Sequence, residues 1–455
     1  MALSERMLEL RDAPIRKLLW KYALPAIIGS SVSALYNIIT RYFIGNADYL
    51  NDDAMSAMGL ALPIMTIIAA FGMLVGAGAG SRISIYLGNG DYEKAQRVVG
   101  TSLLLTLVIT LTISFIFFFT LAPLVHFLGA DEGSYQHTYD FLKYFLPGAI
   151  FSNLCFSFNN MMRASGYPKK AMYTMLLTLV LNGIFAPIFI YWLKWGMEGA
   201  AISIILSMFI GTLFVMQHFV NGHSVLQFKA KYIRFDAQIT KAVLSIGLSP
   251  FLMNIVSSSI IFIIIQQVRV YGGSVAVGAY TIVNVLLMLV VLVLLGLTQG
   301  MQPIVGYSFG AKEIARLREA LLQTIKIGVG IGIVAMVIGV FFPEWVIMPF
   351  NPSPALSDVA ISAIRIVTML FPLVGFQIVV TIFFQSIGKV KHSIFLSLSR
   401  QILFLIPGLF ILPHYFGIAG VWYAIVVADL ISTCTAALFL WIQIREFNRY
   451  LKGNA

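Results

Sequence analysis

The sequence predicts an all-α polytopic membrane protein, with twelve transmembrane helices in two lobes of six that are related as parallel repeats. Three observations carry the prediction. Hydrophobic residues make up 59% of the 455 residues and charged residues 11%, with a mean hydropathy of +0.90, more apolar surface than a soluble core of this length can hide. Twelve apolar stretches are long enough to cross a hydrocarbon layer of about 30 Å, which takes about 20 helical residues each. The chain also repeats itself at an offset of 222 residues, and the matches fall on the connections between those stretches. The runs are too long for strands and lack period-two alternation, which excludes a barrel.

In chain order, residues 1–17 are charged and lack the short apolar core and cleavage site of a signal peptide, so they are expected to lie as an amphipathic helix on the inner surface. The first lobe, 18–219, holds spans that begin near Leu18, Ala54, Val98, Phe141, Ala171 and Ala200. The one long inner connection, 220–241, is mixed basic and polar and reads as the lobe linker. The second lobe, 242–442, holds spans that begin near Ala242, Val275, Leu321, Val359, Ile394 and Ile418, and 443–455 form a tail. The loops fix this division. Gly78, Gly88 and Gly166 recur as Gly300, Gly310 and Gly388, and the Gly88–Asp91 turn is answered by Gly310–Glu313. Gly166–Lys169 is answered by Gly388–Lys391, and Gly196–Gly199 by Gly417–Gly420 at an offset of 221.

The net charge of +11 raises the possibility of a nucleic-acid partner, and the placement of the charges excludes it. With the N-terminus inside, 24 of the 30 Lys and Arg fall on inner segments. Outer connections carry Arg41, Lys194 and Arg269, while Lys143, Arg365 and Arg400 lie in or beside spans. The positive-inside rule therefore places both termini in the cytoplasm. Six spans per half then run in the same direction, which gives a pseudo-twofold axis along the membrane normal.

Enzyme chemistry finds little to work with. The histidines lie at or near span ends without HExxH or carboxylates at ligand spacing, so no catalytic residue and no metal site are assigned. Cys155 and Cys434 sit in apolar spans, where a thiol serves as a small packing residue. The run Gly76–Gly80 superficially resembles a phosphate loop, but no strand precedes it, and small residues at this spacing suit close helix packing.

Polar residues inside the spans are the site candidates. Ser30, Ser33, Asn37 and Thr40 form a stripe on one face of the first helix, and Thr174, Thr178 and Asn182 do so on the fifth. Hydroxyls in such stripes commonly pack helices and bond their own backbone, but a buried amide is costlier, so Asn37 and Asn182 are expected to line a cavity. In the second half, Asn254 and Asn284 are weaker candidates of the same kind, and Met288 offers an adaptable apolar wall. Pro25 and Pro250 occupy similar places in the two lobes and are candidate gates, static kinks being the alternative. Arg400 and Asp429 are the most deeply placed charges. They stand at equal distances from a turn centred between His414 and Tyr415, so they are expected to pair, either as a structural clamp or as a coupling site.

The segments Leu24–Gly29, Tyr36–Gly45, Gly88–Ala95, Arg163–Lys169 and Leu181–Phe189, with their echoes in the second half, resemble the multidrug and toxic compound extrusion (MATE) transporters in their bacterial branch. The resemblance implies cation-coupled antiport, driven by H+ or Na+, of bulky and often cationic amphipathic compounds. Transport would proceed by alternating access from a V-shaped cavity. It further implies a bacterial inner membrane, membrane lipids and a small-molecule substrate as partners, no prosthetic cofactor and a monomer. Two positions depart from the pattern. Thr40 and Ala186 stand where many relatives carry aspartate, so the amino-lobe carboxylate pair that takes up cations is missing. A lipid-linked saccharide flippase of the same superfamily is the alternative transporter, though extra spans and several cationic cavity residues would be expected of one. A non-transporting membrane enzyme or receptor is the alternative from another class.

Overall fold

A computed structural model of the chain describes residues 8–50, 52–221, 224–350 and 353–453, without the side chains of Ser33, Ala34, Asn37, Asp52, Ser274 and residues 450–453. Helices account for nearly all of it, and no strand occurs among the described residues. In the first half these are α1 (Ile15–Gly45), α2 (Asp52–Gly88), α3 (Tyr92–Phe119), α4 (Glu132–Ala164), α5 (Pro168–Pro187) and α6 (Gly196–Val220). The second half contributes α7 (Ala237–Gly273), α8 (Val275–Gly310), α9 (Ile314–Phe341), α10 (Pro354–Thr368 with Phe371–Ser386), α11 (Val390–Phe416) and α12 (Ile418–Gly453). Ten of the twelve are each long and apolar enough to cross a membrane alone. The two segments of α10 form a further span bent by 50°, and α1, with 31 residues, completes the twelve. Pro372 at the start of the second α10 segment cannot donate a backbone hydrogen bond, which accounts for the break.

Several helices start well before their apolar stretch does. α4 begins at Glu132 rather than near Phe141, because Asp131 caps it by accepting from the Ser134 N–H while the Ser134 hydroxyl accepts from the Asp131 N–H. α3 starts the same way, with Asp91 accepting from the Lys94 N–H.

The repeat read in the sequence reappears in the backbone hydrogen bonds. Tyr167 N–H donates to Met162 O, and its counterpart Lys389 N–H donates to Phe384 O. Both turns close on a left-handed glycine, Gly166 (φ 97°) and Gly388 (φ 74°). Asp91 N–H to Tyr86 O is likewise matched by Glu313 N–H to Ser308 O. The short helix Leu121–Phe127 after α3 is answered by Pro343–Ile347 after α9.

The chain forms two compact units. The first comprises the described residues up to Ala13 together with Leu24–Asn254, and the second Pro14–Ala23 together with Ile255 onward. The opening of α1 thus groups with the second unit, and the opening of α7 with the first. Glycine makes both placements possible. In the first unit a Cβ at Gly78 would collide with Val243 O, and one at Gly247 with Leu74 O; in the second, a Cβ at Gly300 would collide with the Ala23 backbone. On the other face of α2, Gly72 and Gly76 let α4 approach, with the Ser157 hydroxyl donating to Gly72 O at 3.0 Å. The Gly76–Gly80 run is therefore a crossing point for two helices.

The connection between α6 and α7 is packed onto the first unit. Leu226 is fully buried, Phe228 N–H donates to Phe219 O, and the Thr101 hydroxyl donates to Arg234 O at 3.1 Å. Asp236 then caps α7, accepting from the N–H groups of Gln238 and Ile239.

Candidate functional site

The first unit contains a partly open cavity of about 330 Å³, a volume that suits a drug-sized ligand. α1 contributes Val32 and Tyr36 to its lining, α2 Met65, Thr66 and Met73, α4 Phe145, Asn153 and Phe156, α5 Met175 and Thr178, α6 Ile204 and Met208, and α7 Asn254. No Asp, Glu, Lys, Arg or His lines it. Four methionines and three aromatic rings make an adaptable wall, and several of the polar groups among them are hydrogen-bonded to the surrounding helices. Asn153 donates through Nδ2 to Ile68 O (3.1 Å) and Thr110 Oγ1 (2.9 Å), and the Tyr36 hydroxyl donates to Ile204 O at 3.0 Å. Asn254 Nδ2 meets Pro250 O at 2.8 Å and Met73 Sδ at 3.1 Å.

Thr40 and Asn182 do not line this cavity. Both are fully buried, and Asn182 Nδ2 donates to Thr40 Oγ1 at 3.0 Å while the Ser203 hydroxyl donates to Asn182 Oδ1 at 3.2 Å. Ala186, also fully buried, adds only a methyl group. At positions 40 and 186, where the resemblance led to an expectation of carboxylates, the chain holds a hydroxyl and a methyl group, and the Thr40 hydroxyl, the Asn182 amide and the Ser203 hydroxyl bond one another. The Asn37 side chain lies outside the described residues. Asn284 is half-buried and Met288 exposed, and neither reaches the cavity of the first unit.

Pro25 stands just beyond Ala23, where α1 changes unit, and Pro250 stands one turn before Asn254, where α7 does. Cys155 is buried and lines the cavity, whereas Cys434 is exposed, contrary to the expectation that both are packing residues. Position along an apolar span does not say which face a residue occupies, and Cys434 lies on an outward face of α12. Among the described residues, no group of three or more His, Cys, Asp or Glu could hold a metal ion.

In the second unit Arg400 Nε donates to Asp429 Oδ1 at 2.6 Å. The Asp429 side chain is 3% exposed and that of Arg400 21%. The turn between α11 and α12 falls at Gly417 (φ 58°) rather than between His414 and Tyr415, so the two residues are not equidistant from it. The difference is absorbed locally. Ser399–Leu405 form a π-helical segment in which Ile406 N–H donates to Gln401 O, and this wider coil advances less per residue. Pro407, which follows, has no N–H to complete the ordinary ladder. The long arginine side chain covers the rest.

Sequence reasoning passed over Tyr36, Asn153 and the methionines of the cavity. Asn153 carried the same signal as Asn182, an amide deep in an apolar span. Tyr36 and the methionines carried none, since such residues occur throughout the spans.

The MatE family model matches residues 25–188 and 250–411. The chain is 27% identical over 443 residues to "Multidrug export protein MepA" of Staphylococcus haemolyticus, covering 97% of each chain. Among solved structures it resembles "Crystal structure of MATE in the bent conformation" with a TM-score of 0.92 and 26% identity, covering 98% of each chain. It also resembles "Outward-facing conformation of a multidrug resistance MATE family transporter of the MOP superfamily" with a TM-score of 0.90 and 26% identity, covering 96% of this chain and 98% of that one.

Proposed function

Because the chain belongs to the MatE family of membrane transporters, we propose that it exports bulky amphipathic compounds, cationic ones among them, by cation-coupled antiport and alternating access. It is a multi-pass membrane transporter and not an enzyme. The observation that carries the substrate class is the uncharged cavity lined by Met65, Met73, Met175 and Met208. Flexible thioether walls adapt to ligands of different shape, and the rings of Tyr36, Phe145 and Phe156 accept a cation on their faces without a fixed counter-charge. Such a site selects for apolar bulk rather than for one hydrogen-bonding pattern, which suits a multidrug exporter. Both termini and the α6–α7 connection face the cytoplasm in this reading, and the chain works as a monomer in the bacterial inner membrane.

The coupling cation is H+ or Na+. Purified protein in proteoliposomes, loaded with a fluorescent lipophilic cation and given pH and Na+ gradients separately, tests the proposal. One of the two gradients is expected to drive uphill efflux. Downhill leakage alone, under both, contradicts antiport.

A further inference from the structure

Ion pairs such as Lys94 with Asp91, Arg365 with Glu344 and Lys389 with Glu446 join groups near helix ends or in connections. Arg400 and Asp429 stand within α11 and α12. Their places in the repeat are informative. The residues 222 and 221 positions earlier are Thr178 and Met208, and both line the cavity of the first unit. The second half therefore carries an ion pair where the first half carries the neutral wall of a ligand cavity. The first half, in turn, has a closed network of Thr40, Asn182 and Ser203 that contains no ionisable group.

We propose that Asp429, held by Arg400, is the proton-carrying group of this exporter, so that coupling is seated in the second half. The inference rests on the cation-coupled export proposed above and takes the cation to be a proton. The step is an ionisation. One proton adds to the Asp429 carboxylate, the pair passes from neutral to a single positive charge, and a neutral carboxylic acid no longer holds the guanidinium. Proton loss restores the neutral pair. Only one arginine donor is engaged, so a single contact controls release. The arginine side chain is partly exposed, so the pair is not sealed within the unit, while Asp429 is buried deeply enough for its charge to matter.

No other charged group bonds to the pair among the described residues. On the packed helices, Arg365 faces Glu344, Lys389 faces Glu446, His392 lies between the rings of Phe384 and Phe439, and Arg445 lies over Trp441. Neither Asp358 nor Lys391 nor Arg449 forms an ion pair with it. The change has a route onward. Gln401, next to Arg400 in the π segment, donates through Nε2 to Ser257 Oγ on α7 at 2.8 Å. One turn earlier on α7 stands Asn254, which lines the cavity. Release of Arg400 thus acts on a segment that hydrogen-bonds the cavity-bearing helix, and by linkage proton and substrate influence each other's binding.

The test compares wild type, Asp429→Asn, and the double variant Arg400→Gln with Asp429→Asn, which leaves no unpaired buried charge. Three readouts are taken: proton release on adding a lipophilic cation to weakly buffered detergent solution, substrate exchange without a gradient, and efflux driven by an imposed pH gradient. Wild type is expected to release protons and to pump. The double variant is expected to exchange substrate within about twofold of wild type, to lose gradient-driven efflux by about tenfold or more, and to release no protons. Gradient-driven efflux by the double variant near the wild-type rate overturns the proposal. Loss of exchange together with efflux also overturns it, and assigns the pair to holding the helices together. Failure of wild type to pump on either a proton or a sodium gradient removes instead the reading on which the inference rests, whereas pumping on sodium alone leaves that reading standing and overturns Asp429 as the proton carrier.

Discussion

Gly90 and Lys312 occupy equivalent positions in equivalent turns, and both are left-handed, at φ 75° and φ 60°. Glycine takes that conformation freely, whereas a lysine Cβ crowds the backbone at a cost of roughly 1–2 kcal/mol. Lys312→Gly is therefore expected to stabilise the protein by about 1 kcal/mol, read as a higher midpoint of thermal unfolding in detergent. An unchanged or lower midpoint would show that the lysine side chain compensates for its backbone. Asn182 makes the opposite case. Replacing it with leucine leaves the buried hydroxyls of Thr40 and Ser203 without their amide partner, at a cost of roughly 1–3 kcal/mol, and transport is expected to fall more than expression does. Wild-type stability and transport in Asn182→Leu would assign the amide to packing.

The helices themselves depend on close backbone approach at a few glycines. A methyl group at Gly247 would collide with Leu74 O and one at Gly78 with Val243 O, while Gly183 and Gly330 face open space. Gly247→Ala is accordingly expected to cost roughly 1–3 kcal/mol, and Gly183→Ala to be neutral or slightly stabilising. Equal effects on unfolding would refute the close crossing of α2 and α7. The spans were legible because a membrane helix must be apolar over a fixed length. The pairing of Arg400 with Asp429 was legible because a charge inside a membrane needs a partner. The mutual pairing of Thr40 and Asn182 was not, since their spacing gives the polar face of each helix but not which helices adjoin. Nor was the docking of the α6–α7 connection. Its signal was Val225, Leu226, Phe228 and Tyr232, interspersed among basic residues that dominated the reading.

For the whole molecule, the distribution of Lys and Arg and the exposed aromatic residues point the same way. Phe127, Trp192, Trp345 and Tyr415 are all strongly exposed on or beside the connections that carry few basic residues. Large rings at such places suit a membrane–water interface. Lys231→Cys, in the exposed part of the connection between the halves, is expected to resist an impermeant thiol reagent applied to intact cells, in a background in which Cys155 and Cys434 are serine. Efficient labelling from outside would reverse the topology and with it the proposed direction of transport. The claim on which the function turns is that transported compounds occupy the neutral cavity of the first unit. Its most direct measurement is photolabelling with a reactive lipophilic cation, followed by mapping of the modified residues. Adducts are expected on Met65, Met73, Met175 or Met208, and an excess of unlabelled substrate should suppress them. Labelling confined to outward-facing residues such as Phe115 and Phe119, or unaffected by competition, would contradict the account.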